Sequence, residues 1–161
     1  MDNKFVLNMN INIVCVGKIK ESFYREAIAE YAKRLTRFCK FNVVEVAECK
    51  LEGNEINKVI VNEGKSIITK LKGYVIVLDL SGQMLSSTSL AEKIDSLQVG
   101  GVSEITFVIG GSYGLSDEVK QNADYSLCFG KMTYPHQLMR VILSEQIYRA
   151  FMINSNSEYH K

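Results

Sequence analysis

The sequence predicts an α/β fold, a mostly parallel sheet with helices on both faces. Strand-like and helix-like hydrophobic patterns alternate five times, and no Asn-Gly hairpin signal joins two strand-like runs. A length of 161 residues with 47% hydrophobic content fits one domain with a real core. No internal repeat or low-complexity segment interrupts the alternation.

Residues 1–8 lack clear periodicity and read as an N-terminal extension, with the domain running over 9–161. Ile11 to Gly17 is a largely buried strand ending at a glycine, and Lys18 to Glu21 is the following loop. Phe23, Ala27, Ile28, Tyr31, Leu35 and Phe38 recur at helical spacing, which predicts an amphipathic helix over 22–38. Phe41 to Ala47 is a second strand, and helical spacing returns from Glu55 to Lys72, with Gly64 weakening the middle. Tyr74 to Leu80 is a third strand closed by a turn at Ser81-Gly82-Gln83. Ser89 and Glu92 have capping-box spacing, placing a helix over Leu90 to Leu97 before Gly100-Gly101 ends it. Glu104 to Ile109 is the fourth strand, Ser116 caps a short helix with Asp117 and Glu118 near its positive end, and Tyr125 to Phe129 is the fifth strand. The last helix, Pro135 to Met152, is apolar around most of its circumference; it is either central to the core or shared with a second subunit, and we favour a homodimer interface.

The net charge of +1 does not advertise a nucleic-acid partner, but residues 1–40 carry +4 and the remainder −3. That imbalance reads equally as a phosphate footprint or as a solvated helix face. Cys15, Cys39, Cys49 and Cys128 form no C-x-x-C pair and have no histidine at ligand spacing, so neither a zinc nor a redox motif is supported and no metal is expected. No run reaches the roughly 18 apolar residues of a membrane span, and no signal peptide is visible. The expected location is the cytoplasm.

The chain's only proline, Pro135, lies in Gly130-Lys131-Met132-Thr133-Tyr134-Pro135-His136, between a strand and the last helix. It fixes a loop ending at Tyr134 and a helix start, and a strand, a loop and a helix start together form the usual ligand site of open α/β sheets. Gly110-Gly111-Ser112-Tyr113-Gly114 after the fourth strand permits close approach of a ligand to backbone, but it is neither a dinucleotide fingerprint nor a P-loop and reads equally as a plain tight turn. His136 is a candidate base or simply a local hydrogen-bonding residue.

Three ordered stretches, Phe107 to Leu115, Met132 to Val141 and Glu145 to Ala150, together with the terminal Tyr159-His160-Lys161, resemble the RlmH family of SPOUT methyltransferases. The likeness covers nearly the whole chain from Met9. It implies a C-terminal trefoil knot, a homodimer, and S-adenosyl-L-methionine as cofactor. The implied activity is methylation of N3 of a pseudouridine in large-subunit rRNA of assembled ribosomes. By motif, the cofactor would contact Leu78, Gly111 and the loop Gly130, Lys131, Met132, Thr133, Tyr134 and Pro135. His160, Tyr159 and Arg149 would act in catalysis, and Arg140 and Lys161 would hold RNA. For Arg149 the competing reading is a helix ion pair with Glu145, and for the tail a disordered end. A different class of function, a nucleotide- or RNA-binding module of the same fold without chemistry, remains the alternative.

Overall fold

The computed structural model describes residues 9–160, the His160 side chain excepted. The N-terminal extension and Lys161 lie outside the described residues. Strands β1 (Asn10–Val16), β2 (Lys40–Val46), β3 (Tyr74–Met84), β4 (Glu104–Ile109) and β5 (Tyr125–Cys128) form one sheet in the order β2-β1-β4-β3-β5, and every neighbouring pair is parallel. Helices α1 (Ser22–Leu35), α2 (Ile56–Ile68), α3 (Ser87–Val99), α4 (Asp117–Gln121) and α5 (His136–Asn154) connect and follow them, and a 3₁₀ turn, Glu158–His160, packs back on α5.

Strand side chains alternate between the two faces, and here both are apolar. Ile11, Ile13 and Cys15 of β1, with Ile105, Phe107 and Ile109 of β4, fill the core that also holds Leu35, Ile94 and Leu143 of α1, α3 and α5. Val14, Val16, Val77 and Val108 face the second core with Ile67 of α2 and Val119 of α4. The near-continuous apolarity of α5 follows from its position: it packs against α1, α3 and β4. Leu138, Val141 and Ile142 remain only partly covered.

Burial pushes the thiol of Cys15 up to about 11, with Arg140 partly opposing, and that of Cys39 up to about 12, so both pack as small hydrophobes. Among the described residues no helix is long and apolar enough to cross a membrane.

Several boundaries depart from expectation. Helix α1 stops at Leu35, because Thr36 and Phe38 close the last turn onto the carbonyls of Lys33 and Leu35. Helix α3 starts at Ser87, not Leu90, with Ser86 Oγ accepting from Ser89 N–H at 3.1 Å. Pro135 occupies the cap position of α5, at φ −53° and ψ 133°, and not its first turn.

The predicted turn after β3 is a bulge within the strand. Leu78 and Gln83 both pair with Leu127, so residues 79–82 loop out and pairing resumes through Met84 opposite Cys128. Asp79 stabilises the excursion by accepting from Ser81 N–H and Oγ–H at 3.3 and 2.9 Å. Gly82 is required there: a Cβ would lie 2.7 Å from the Ser126 carbonyl carbon and oxygen.

Candidate active site

Parallel strands put their C-terminal ends on one edge, and the bulge of β3 with the loops leaving β4 and β5 lines a cavity of about 370 Å³ there with the first turn of α5. Six of the eight residues proposed for the cofactor line it: Leu78, Gly111, Gly130, Met132, Thr133 and Tyr134. Lys131 and Pro135 are exposed and do not line it. The sequence reading did not assign Asp79, Leu80, Tyr113, Phe129 or Met139 to the wall. Only their proximity in sequence to the glycine turn and the proline loop pointed to most of them.

The glycine turn has a steric reason. Gly114 N–H donates to the Gly111 carbonyl at 3.1 Å, folding the loop back on itself, and a Cβ on Gly110 would stand 2.9 Å from the Gly114 carbonyl carbon. On Gly111 a Cβ would meet Glu63 Oε1 at 3.0 Å and Val16 Cγ1 at 3.1 Å. Gly130 adopts φ +115°, a conformation that side chains disfavour, while Cys128 Sγ lies 3.3 Å from both its N–H and its carbonyl. At the helix start Pro135 offers no side-chain cap, so the first N–H groups of α5 face the loop. A neighbouring cavity of about 260 Å³, lined by Met84 to Ser87, Leu90 and Gln146, shares Leu127, Phe129 and Gly130 with the first. The end of β5 is thus a partition with open space on both sides.

Three titratable groups border the glycine and proline loops. Burial, reinforced by Arg140, lowers the His136 pKa against the opposing pull of Glu48, so its imidazole is neutral at neutral pH. Burial works against ionisation of Asp79, but the Ser81 hydrogen bonds and Lys120 outweigh it and hold its carboxyl below the usual range. Glu63, 2% exposed, accepts from Cys49 N–H at 3.0 Å through Oε2, while Oε1 faces Gly111 with no hydrogen-bond partner among the described residues.

Burial and then Glu48 raise the Glu63 pKa against the Cys49 hydrogen bond. A folded-state pKa above the unfolded one means that stability is lost as pH rises from the unfolded value through the folded one. Glu63→Gln is therefore expected to gain stability relative to the parent as pH rises above the ordinary carboxylate range, read as a growing difference in urea midpoint.

Arg140 departs most from its expected role. Its side chain is 0% exposed and cannot touch RNA. Nη2 donates to the carbonyls of Val16 and Gly17 at 2.6 and 2.9 Å, and Nη1 to Glu45 at 3.1 Å. It is a strut that ties α5 to the end of β1.

Arg149, farther along α5, and Tyr159, in the 3₁₀ turn that follows it, line neither cavity. Arg149 donates through Nε and Nη2 to Glu145 Oε1 at 2.9 and 2.6 Å, the ion pair of the simpler reading. Tyr159 packs edge-on against Tyr148 with centroids 4.9 Å apart, lies under the Arg149 guanidinium at 5.0 Å, and donates to Glu145 at 3.4 Å. Burial, then Glu145, raises its pKa.

A family model described as "Predicted SPOUT methyltransferase" matches residues 9–160. Proteins named ribosomal RNA large subunit methyltransferase H are similar along their full length. That of Clostridium novyi is 54% identical over 159 residues, covering 95% of this chain and 100% of its own. That of Levilactobacillus brevis is 52% identical with the same coverage. Among solved structures, a methylase family protein of Haemophilus influenzae Rd KW20 has a TM-score of 0.53 at 16% identity, covering 96% of this chain and 71% of its own. One of Neisseria gonorrhoeae has a TM-score of 0.54 at 9% identity, covering 92% and 85%. These two structures speak for the fold alone. The full-length relatives and the family model speak for more: the chain belongs to the RlmH family, the ribosomal RNA large subunit methyltransferases H of the SPOUT class.

Proposed function

We propose that the protein uses S-adenosyl-L-methionine to methylate N3 of a pseudouridine in 23S rRNA of assembled ribosomes, as a cytoplasmic homodimer whose C-terminal part is knotted. The observation that carries this reading is the convergence of Leu78, Gly111, Gly130, Met132, Thr133 and Tyr134 on one cavity. The residues fit the cofactor. Glycines bring backbone within reach of a flat heterocycle and its ribose, and the cavity volume lies within the range of small-molecule sites.

When bound, the cofactor supplies an electrophilic methyl group on a sulfonium. The protein supplies orientation, which accounts for much of the acceleration in such transfers. N–H and carbonyl groups of the β3 bulge and of the two loops would hold the cofactor, with Leu78, Met132 and Tyr134 among the side chains lining its cavity. The base must lose its N3 proton. Tyr159, His160 and Lys161, with Arg149, hold the RNA and assist that loss.

Within one chain Tyr159 and Arg149 stand away from the cavity, which supports delivery of the tail to a partner subunit's cavity. The partly covered stripe Leu138, Val141 and Ile142 on α5 supports a surface where two subunits meet.

The test is methyl transfer from labelled cofactor to ribosomes from cells lacking the gene, with the product nucleoside identified by mass spectrometry. N3-methylpseudouridine in large-subunit RNA is expected, with a loss of about 100-fold or more in His160→Ala. Cofactor binding without any transfer would leave a non-catalytic binding module.

A further inference from the structure

The segment from Gly17 to Arg25 stands at the same sheet edge as the cavity, on the other side of the first turn of α5. Its backbone is pinned from every direction. Ile19 N–H donates to Glu45 at 2.9 Å and Lys20 N–H to Gln137 at 3.4 Å. Arg25 Nη1 donates to the Ile19 and Lys20 carbonyls at 2.9 and 3.2 Å, and Arg140 holds those of Val16 and Gly17. Such a loop is a rigid mount, not a flexible one.

Its side chains are the opposite. Lys18 and Lys20 are exposed and make no ion pair or side-chain hydrogen bond among the described residues. Phe23 is 59% exposed, its ring 4.4 Å from that of Tyr24 at a 56° tilt. Lys18 and Lys20 also form one wall of a cleft of about 460 Å³ whose other wall is Glu45 to Glu48. The mount adjoins the site directly, because Gln137, which it touches, follows His136 of the cavity wall.

An open aromatic face a few residues along the chain from two unpaired ammonium groups offers what an unpaired nucleotide strand needs, a surface for a base and charges for its phosphates. A second copy of the chain fits poorly. A stable protein interface takes about 800 Å² from each partner, whereas Phe23 is a single ring flanked by the exposed charges of Glu21, Arg25 and Glu26.

Resting on the methyltransferase reading, we propose that this elbow is a strand-docking platform: Phe23 stacks on an unpaired base near the target, and Lys18 and Lys20 hold adjoining phosphates. One aromatic stack carries about 1–3 kcal/mol, which is about 5- to 150-fold in affinity.

The experiment compares the full-length protein with Phe23→Ala, Phe23→Trp and the Lys18→Ala/Lys20→Ala pair. Co-sedimentation with unmodified ribosomes reads docking, labelled methyl transfer reads turnover, and calorimetry with S-adenosyl-L-methionine reads the cavity. We expect Phe23→Ala to weaken ribosome binding about tenfold or more and Phe23→Trp to restore it, with cofactor affinity unchanged. The lysine pair should flatten the slope of log affinity against log salt by about 1–2.

Ribosome binding by Phe23→Ala equal to the parent's would overturn the platform, whatever the turnover. So would a change in dimer mass on its substitution, which would assign Phe23 to a protein contact. A parent that docks through Phe23 yet transfers no methyl would overturn the enzymatic reading and keep the platform. A parent that neither docks nor transfers would overturn both.

Discussion

Arg140→Ala is expected to destabilise the protein by about 3–5 kcal/mol, read as a lower urea midpoint with an unchanged slope. The guanidinium is enclosed and satisfies three acceptors at once: Glu45 and the carbonyls of Val16 and Gly17. Removing it strands the two carbonyls, each costing about 1–3 kcal/mol if left unpaired, and leaves a void the size of a long side chain. Glu45 softens the loss, since its side chain is 36% exposed and turns to water when released. Arg140→Lys is expected to recover little, because one ammonium cannot span a carboxylate and two carbonyls in the planar fork that Arg provides. Activity should fall with stability, as α5 loses its register at the cavity wall; an unchanged midpoint for Arg140→Ala would refute the strut.

The second large effect is expected from Gly73→Ala, at the opposite edge of the sheet. Gly73 has φ +66° in the connection from α2 to β3, and a Cβ there would collide with the Glu104 carbonyl oxygen and stand 2.7 Å from its carbonyl carbon. Neither obstacle is a flexible side chain. The surrounding backbone is also held, since Thr106 Oγ–H donates to the Lys72 carbonyl at 2.6 Å and Asn12 Nδ2 donates to Glu104 Oε2 at 3.0 Å. With the left-handed conformation and a backbone collision both to relieve, the loss is expected to reach about 3 kcal/mol or more. Cofactor affinity of the folded fraction should not move, because the substitution lies at the far end of the strands from the cavity. A thermal midpoint within about 2 °C of the parent would refute this account of the glycine.

The strands were legible because β-branched runs and flanking glycines carry their own signal, and the alternation of elements named the fold class. The order β2-β1-β4-β3-β5 was not legible, since pairing is decided by which apolar faces meet. The Ser86 cap was missed among Ser86, Ser87, Thr88 and Ser89, where any of four residues satisfies the local chemistry. Burial of Leu90, Ala91 and Ile94 in the core coincides with a helix that starts three residues earlier than the Ser89 spacing suggested. The bulge in β3 looked like an ending because Asp79, Ser81 and Gly82 are turn residues locally, and only the resumed pairing with β5 reveals a strand.

At the site, spacing alone left the glycine turn ambiguous, and the family likeness singled out its residues. The structure adds a separate reason for Gly110 and Gly111, neither of which has room for a side chain. Arg140 was misread because a helix pattern scores an arginine as polar, while its acceptors lie 95 to 124 residues away in sequence.

That long tie sets the order of events during synthesis. β1 emerges early, yet its partner β4 begins almost a hundred residues later, and the guanidinium that secures its end arrives later still, with α5. Contacts so distant in sequence slow folding and leave the growing chain with unpaired strand edges. Because the cavity draws on the bulge of β3, on the ends of β4 and β5 and on the start of α5, it closes only when α5 has been made. A ribosome carrying the unfinished chain therefore never meets a competent cavity in that chain, and capacity to bind appears in a single step late in synthesis.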